Sequence, residues 1–356
     1  MLDFPIINSH NGWSKLEEVW LGDIYPDSWY ATLPNEIEDT FCKINEVTRQ
    51  DLTEIQLKLE EFGVVVRRPE YKKIENHLID GTEILQKPEI TPRDFAAVIG
   101  NTLIFNRRNM MEKEDSNWNY LLDEYSPHAF YSGRLESNFD VDNGNNNNAT
   151  GYWHQNLNGA NIVRYGDKII WDTCDKEEIT IAKQQEVAEL FPDFEWHFVN
   201  NGGHLDGCFQ IVKPGLLLTS YYFDDYEKFF PGWKCITVSH PEFAAYPHKT
   251  PKAGFTSNNR WWMDDFAMPA SFNKHIIQYA KEWVGNPMET FFDINSLMLD
   301  EHNICILGEK PKLFQALEQE GLTVHSLPFR ARTFWDGGLH CLTVDIRRRS
   351  YSKKVL

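Results

Sequence analysis

His204 and Asp206 stand two apart in Gly202-Gly203-His204-Leu205-Asp206-Gly207. In an extended segment such a pair projects from one face. An imidazole there can move protons near neutral pH, and a carboxylate can take a two-pronged hydrogen bond from a planar cation. Cys341 follows two glycines in Asp336-Gly337-Gly338-Leu339-His340-Cys341 and is expected to begin a strand. A thiolate at that point is a strong nucleophile once a base or a positive field lowers its pKa. Cys341 and His204 would then form a nucleophile–base pair, far apart in sequence and close in space. His340, its neighbour along the strand, should face the other way and be structural. Each signal also has a plainer reading on its own: a capped turn for His204-Leu205-Asp206, a salt-bridged turn for Arg93-Asp94, a buried thiol for Cys341.

The elements that must position these residues form a weak internal repeat. Four stretches read as short apolar strands around tight turns: 95–105, 161–171, 209–218 and 296–307. Helical spacing is expected near 45–62, 176–190, 224–230, 271–284 and 310–320, and several of these lead into another strand, at 63–67, 195–199, 233–238 and 321–325. Each unit is thus hairpin, helix, strand, and cannot bury its own face without neighbours. Two strands lack hairpin partners, Leu16 to Leu21 and Cys341 to Arg347; pairing them adds a fifth unit and closes a ring. The expectation is a single α/β domain over 1–356, a five-bladed α/β propeller of ββαβ-type units with pseudo-fivefold symmetry. Polar residues just before each hairpin then converge on one central pocket: Asp94, Asn158 and Asn161, His204 and Asp206, Asp293 and Asn295, and Cys341. The Asn-rich stretch 138–151 reads as a surface insertion.

Composition limits the partners. Lys plus Arg is 35 against 53 Asp plus Glu, a formal net charge of -18. Such a chain repels phosphate over most of its surface, so neither nucleic acid nor an anionic membrane is an expected partner; a small cation is. The 42% of hydrophobic residues supply a core, and no apolar run approaches the length of a membrane span. No basic-then-apolar leader opens the sequence, and the six cysteines form no CxxC pair. Reduced thiols in a cytoplasmic protein are therefore expected, and a sequon at Asn148-Ala149-Thr150 carries little weight.

These residues resemble a known family over nearly the whole chain. Asn11-Gly12-Trp13-Ser14-Lys15-Leu16-Glu17-Glu18-Val19, Gly63-Val64-Val65-Val66-Arg67-Arg68-Pro69, Pro92-Arg93-Asp94, His204-Leu205-Asp206 and 295–301 are similar to segments of the amidinotransferases. So is 337–348, GGLHCLTVDIRR, which resembles their nucleophile segment. The family belongs to the guanidino-group-modifying (pentein) superfamily. The resemblance implies a five-bladed α/β propeller with no metal or organic cofactor. Its reaction is ping-pong. A cysteine thiolate takes the amidino group from a guanidino donor, usually arginine, releasing ornithine, and a primary amine such as glycine then accepts it. Carried over, Cys341 is the nucleophile, His204 the acid–base, and Asp94 and Asp206 hold the guanidinium. Arg93, Asn161, Asp293 and Asn295 complete the set expected to face the small-molecule substrates. A homodimer is compatible with this reading. A hydrolase of the same fold, deiminase or dihydrolase, is the alternative. The sequence departs from the family pattern at Asn158, where an acid normally supports the histidine. It also departs at Phe223, where a donor-binding arginine aligns, and at Met288 and Glu289. A binding protein impaired in catalysis by Asn158 is the third reading.

Overall fold

The computed structural model describes residues 7–71, 76–79, 82–85, 87–105, 117–118, 129–131, 158–172, 185, 187–199, 204–219, 224–238, 268–280, 283–284 and 294–349. Asp293, Phe223, Met288, Glu289, the 138–151 stretch with its sequon and most of the expected helix at 176–190 lie outside them.

The strands in chain order are β1 (Leu16–Leu21), β2 (Val65–Arg67), β3 (Asn76–Ile79), β4 (Thr82–Leu85), β5 (Ala96–Ile99), β6 (Thr102–Phe105), β7 (Ala129–Tyr131), β8 (Ile162–Tyr165) and β9 (Lys168–Asp172). They continue as β10 (Glu195–Val199), β11 (Phe209–Lys213), β12 (Leu216–Thr219), β13 (Lys234–Thr237), β14 (Leu297–Met298), β15 (Asn303–Leu307), β16 (Thr323–Leu327) and β17 (Thr343–Arg348). Apart from the β3–β4 hairpin they form five separate three-stranded sheets of one design. In each, two antiparallel strands are followed by a third running parallel to the second: β5-β6-β7, β8-β9-β10, β11-β12-β13, β14-β15-β16 and β17-β1-β2. The pattern has a simple cause. A tight turn joins antiparallel strands, whereas a parallel neighbour needs a long crossover, here commonly helical. The last sheet joins the two ends of the described chain, with Leu21 opposite Thr343 and Trp20 opposite Val344, as the two unpartnered strands required.

Successive sheets touch through their first strands and the turns that precede them. Arg164 on β8 donates to the Val98 carbonyl of β5 at 2.9 Å, and Gly159 N–H to the Ala96 carbonyl at 3.1 Å. Asp206 N–H reaches the Ala160 carbonyl at 3.0 Å, Gln210 on β11 the Ser296 carbonyl at 3.0 Å, and Arg348 on β17 the Met298 carbonyl of β14 at 3.1 Å. Arg93, just ahead of β5, donates to the Thr343 carbonyl of β17 at 2.7 Å.

The first crossover helix, α1 (Asn35–Glu61), starts ten residues before the expected segment. Ile37, Phe41 and Ile44 extend the same apolar stripe as Leu52, Ile55 and Leu59, and all are buried. Pro34 marks the entry, because the chain ahead of it is extended. The other described helices are α2 (Asp224–Phe229), α3 (Ala270–Tyr279), α4 (Pro311–Gln319) and α5 (Arg332–Trp335). Helices α1, α3 and α5 bury Phe41, Phe272, Phe334, Trp335 and the nearby Trp283 in one aromatic cluster. Each such side chain contributes roughly 1.5–3 kcal/mol on burial. Trp335 Nε1–H also donates to Thr48 at 2.8 Å, tying α5, and hence the Cys341 segment that follows, to α1. No helix among the described residues is long and apolar enough to cross a membrane.

Candidate active site

The segment that carries Cys341 turns where a strand was expected. Asp336, with φ 56°, takes the left-handed conformation at the end of α5, and the chain then coils through Gly337 to Leu342 before β17 starts at Thr343. Leu342 N–H bonds the Gly338 carbonyl at 3.0 Å and Thr343 N–H the His340 carbonyl at 3.1 Å, so alternation along a strand does not apply. His340 therefore faces the site beside Cys341, in correction of the expectation that it points away. The signal was present in the two glycines. A Cβ on Gly338 would lie 2.5 Å from Asn295 Cβ, so only glycine lets the turn close onto Asn295.

Asn295 grips the cysteine at two points. Its Oδ1 accepts from Cys341 N–H at 2.9 Å and its Nδ2–H donates to Cys341 Sγ at 3.0 Å. The thiol in turn donates to Asp206 Oδ2 at 3.5 Å, and that same oxygen is 2.7 Å from His340 Nδ1. Asp206 is 5% exposed and sits in a helical turn, Leu205–Gly207, that His204 caps. The expected extended His-x-Asp is thus a turn. His204 nonetheless stays within electrostatic range of both Asp206 and Asp94, and its charge lowers the pKa of each.

Asp94 closes the Pro92–Asp94 turn, and among the described residues its buried Oδ1 has no hydrogen-bond partner. Burial raises its carboxyl above the usual range; the charges of His204 and Lys87 offset only part of that. Asp206 shows the reverse balance. Burial raises it, but the hydrogen bond and field of His340, with the charges of His204 and Arg93, outweigh that and hold it low. Burial pushes the Cys341 thiol well above its ordinary value, and the Asp206 and Asp94 carboxylates push it further. Hydrogen bonds from Gly338 and Asn295 oppose the shift without cancelling it. Without a cation in the site, the sulfur is therefore a thiol.

Three of the expected site residues, Arg93, Asn158 and Asn161, are held in the protein's own bonding. Arg93 was expected among the substrate contacts. It is 2% exposed, and its guanidinium donates to the His340 carbonyl at 2.6 Å, the Thr343 carbonyl and Asp345. It fastens the turn that carries Cys341 from behind. Asn158 is buried, and its Oδ1 accepts from the N–H groups of Ala160 and Asn161, both at 3.0 Å, which forms the turn ahead of β8. Asn161 is buried one step on, with its N–H in that turn and its carbonyl bonded by Asp172 N–H at 2.9 Å. Gly159 between them is packed too tightly for a side chain: a Cβ would lie 2.6 Å from Arg93 Cγ. The structure thus gathers Cys341, Asn295, Asp206 and His340 by direct contact, with Asp94 and His204 in electrostatic reach.

Fold and site together define an α/β protein of repeated three-stranded sheets with a buried cysteine–carboxylate cluster. The chain is a homologue of the amidinotransferases. It is 23% identical over 390 residues to the L-arginine:L-lysine amidinotransferase of Pseudomonas savastanoi pv. phaseolicola, covering 98% of this chain and 96% of that protein. Against the mitochondrial glycine amidinotransferase of Xenopus laevis the identity is 24% over 164 residues, 45% of this chain. That match spans about a third, 31%, of the curated relative's length. Among solved structures, SxtG, an amidinotransferase from Microseira wollei in the saxitoxin biosynthetic pathway, superposes with a TM-score of 0.64 at 20% identity. It is matched over 97% of this chain and 98% of that one, and so shares the fold. No family model matches the chain.

Proposed function

We propose that the chain is an amidinotransferase that moves an amidino group from a guanidino donor, L-arginine, to a primary amine through a covalent adduct on Cys341. In this reading the five sheets are the blades of one closed propeller domain, and the site lies on its axis. The observation that carries it is the pairing of a buried thiol with two carboxylates, one of which, Asp94, has a buried oxygen that lacks a partner among the described residues. A site of that kind is unfavourable until a cation enters. A guanidinium bound between Asp94 and Asp206 offsets both charges and favours the thiolate. At about 4 Å and an effective dielectric near 20 its field is worth about 4 kcal/mol. The donor thus switches on the nucleophile that attacks it.

The bookkeeping of atoms is simple. Cys341 sulfur bonds the guanidinium carbon, and the thiol proton passes by way of His204 to the departing nitrogen. The C–N bond then breaks, leaving the amidino group on sulfur and ornithine free. An amine attacks the same carbon, the C–S bond breaks, and an amine proton returns to sulfur. Asn295, bonded to both Sγ and the Cys341 N–H, holds the sulfur in place throughout. The relative named for arginine and lysine supports an amino-acid donor and acceptor. The test is ornithine release from arginine with and without a panel of amines that includes glycine and lysine. Release beyond one ornithine per active site only when an amine is present is the expected result. Repeated turnover of arginine to ornithine without any amine would make the chain a hydrolase of the same fold.

A further inference from the structure

The hydrogen bond between His340 and Asp206 has no part in the transfer steps above. Their contact distance is 2.7 Å, and it engages the one oxygen of Asp206 that the Cys341 thiol also faces, at 3.5 Å. Among the described residues, charged groups from several elements surround the ring. Asp206 comes from the turn before β11 and Arg93 from the turn before β5, while Asp345 of β17, Arg164 of β8 and Arg348 of β17 line a cavity of about 40 Å³ that His340 and Asp206 also line.

We propose that His340 is a positioning residue for the guanidinium grip: its Nδ1–H fixes the carboxylate of Asp206 in the orientation that receives the donor, without neutralising its charge. The inference rests on the function proposed above. An ionised carboxylate only accepts hydrogen bonds, so the ring must carry its proton on Nδ1. Burial and then the charge of Arg93 hold His340 down to about 4, against the opposing pull of Asp206 and Asp345, so the ring is uncharged at neutral pH. A lysine or arginine in its place would also bond Asp206, but would cancel the negative charge the donor needs. A neutral imidazole orients the carboxylate and leaves that charge available. Arg93, which adds to burial in keeping the ring uncharged, is itself bonded to the His340 carbonyl at 2.6 Å and so also fixes the ring's backbone position.

The test is L-arginine binding by calorimetry across pH in a Cys341→Ala background, where no chemistry follows. His340→Leu should weaken binding about tenfold, the value of one hydrogen bond to a charged group. It should also move the acid limb of binding to higher pH, because Asp206 loses a bond that holds its pKa down. His340→Asn, whose Nδ2–H falls near the position of Nδ1–H, should restore both. His340→Gln, which keeps polarity and bulk but moves the donor outward, should behave like leucine and serves if the leucine variant does not fold. Leucine and glutamine variants that bind as the parent does, with the same pH dependence, would overturn the inference. Independently, long-range ¹H–¹⁵N imidazole spectra of the parent at neutral pH should show His340 as the neutral Nδ1–H tautomer. A parent that binds no arginine would overturn the proposed donor, and the spectrum would still decide His340: a charged ring or an Nε2–H tautomer would refute its role.

Discussion

Asp345 and Asp94 are both carboxylates held inside this protein, and their surroundings treat them in opposite ways. Asp345, 1% exposed, receives Arg93 at 3.0 Å, Arg164 at 2.6 Å, Arg348 at 2.7 Å and the Ser9 hydroxyl at 2.8 Å. Burial alone would raise its pKa, but the three arginines hold it well below the usual carboxylate range. Asp94 has a buried oxygen without a partner among the described residues, and its pKa is raised. A buried charge that is fully paired locks elements together: Asp345 ties β17 to β8 and to the turn before β5. At Asp94, under the proposed function, the carboxylate left short of partners is the one that receives the donor's guanidinium.

The largest effect expected from breaking this contrast is at Asp345. Asp345→Asn leaves three buried guanidinium groups without their counter-charge, and unfolding in urea should show a loss of about 3–5 kcal/mol. The stability supplied by Asp345 is present above the pKa of an unfolded aspartate and is lost as pH falls toward its depressed folded value. The variant's deficit should therefore shrink in acid. A deficit that does not change with pH would mean that the paired charge is not what holds the hub.

Asp94→Asn should do the reverse. Losing a charge-assisted bond to the donor should weaken arginine use by about 1.5–3 kcal/mol, well over tenfold in kcat/KM. Stability should rise. A carboxylate with a raised folded pKa disfavours the folded state as pH climbs through that value, and an amide has no such liability. Thermal unfolding above and below the acid range reads the sign. An Asp94→Asn protein that is less stable at neutral pH would show Asp94 to be a structural carboxylate like Asp345.

Gly338→Ala probes the contact between the two regions. A Cβ 2.5 Å from Asn295 must displace either the turn or Asn295, at a cost of about 1–3 kcal/mol. Because Asn295 holds the sulfur, turnover should fall more than stability does, as kcat compared with urea midpoints would reveal. The smallest effect is expected from Asn158→Asp. Its Oδ1 bonds to Ala160 and Asn161 can be kept by a carboxylate, so the fold should be unchanged. An added negative charge that supports His204 as it gains a proton should quicken the ornithine burst several-fold. A burst identical to wild type would confine residue 158 to its turn.

Much of this contrast was legible in the sequence, and the part that was not has physical causes. Hairpins announced themselves through apolar pairs around Gly-Asn, Gly-Asp and Pro-Gly turns, and β5 with β6 and β11 with β12 lie where those signals put them. Asp94, Asp206 and Cys341 stood out as polar residues at equivalent points of the repeat. The first ten residues of α1 were not expected, because their apolar stripe is thin and interrupted by polar residues, of which Asn35, Glu36, Asp39 and Lys43 are exposed. Arg93 looked like a substrate contact because sequence cannot tell which way a side chain leaves a turn; only the fold shows Asp345 waiting behind it. His340 was read by strand alternation, which fails where Gly337 and Gly338 let the chain coil. The full partnering of Asp345 is the least visible feature, since its arginines come from 252, 181 and 3 residues away.

Mass spectrometry of the intact protein after brief incubation with L-arginine, without an acceptor amine, tests the central claim most directly. The account predicts a mass increase of one amidino group, located on Cys341 by peptide mapping, absent in Cys341→Ala and discharged on adding an amine. Turnover of arginine with no adduct on Cys341, or turnover retained in the alanine variant, would contradict it.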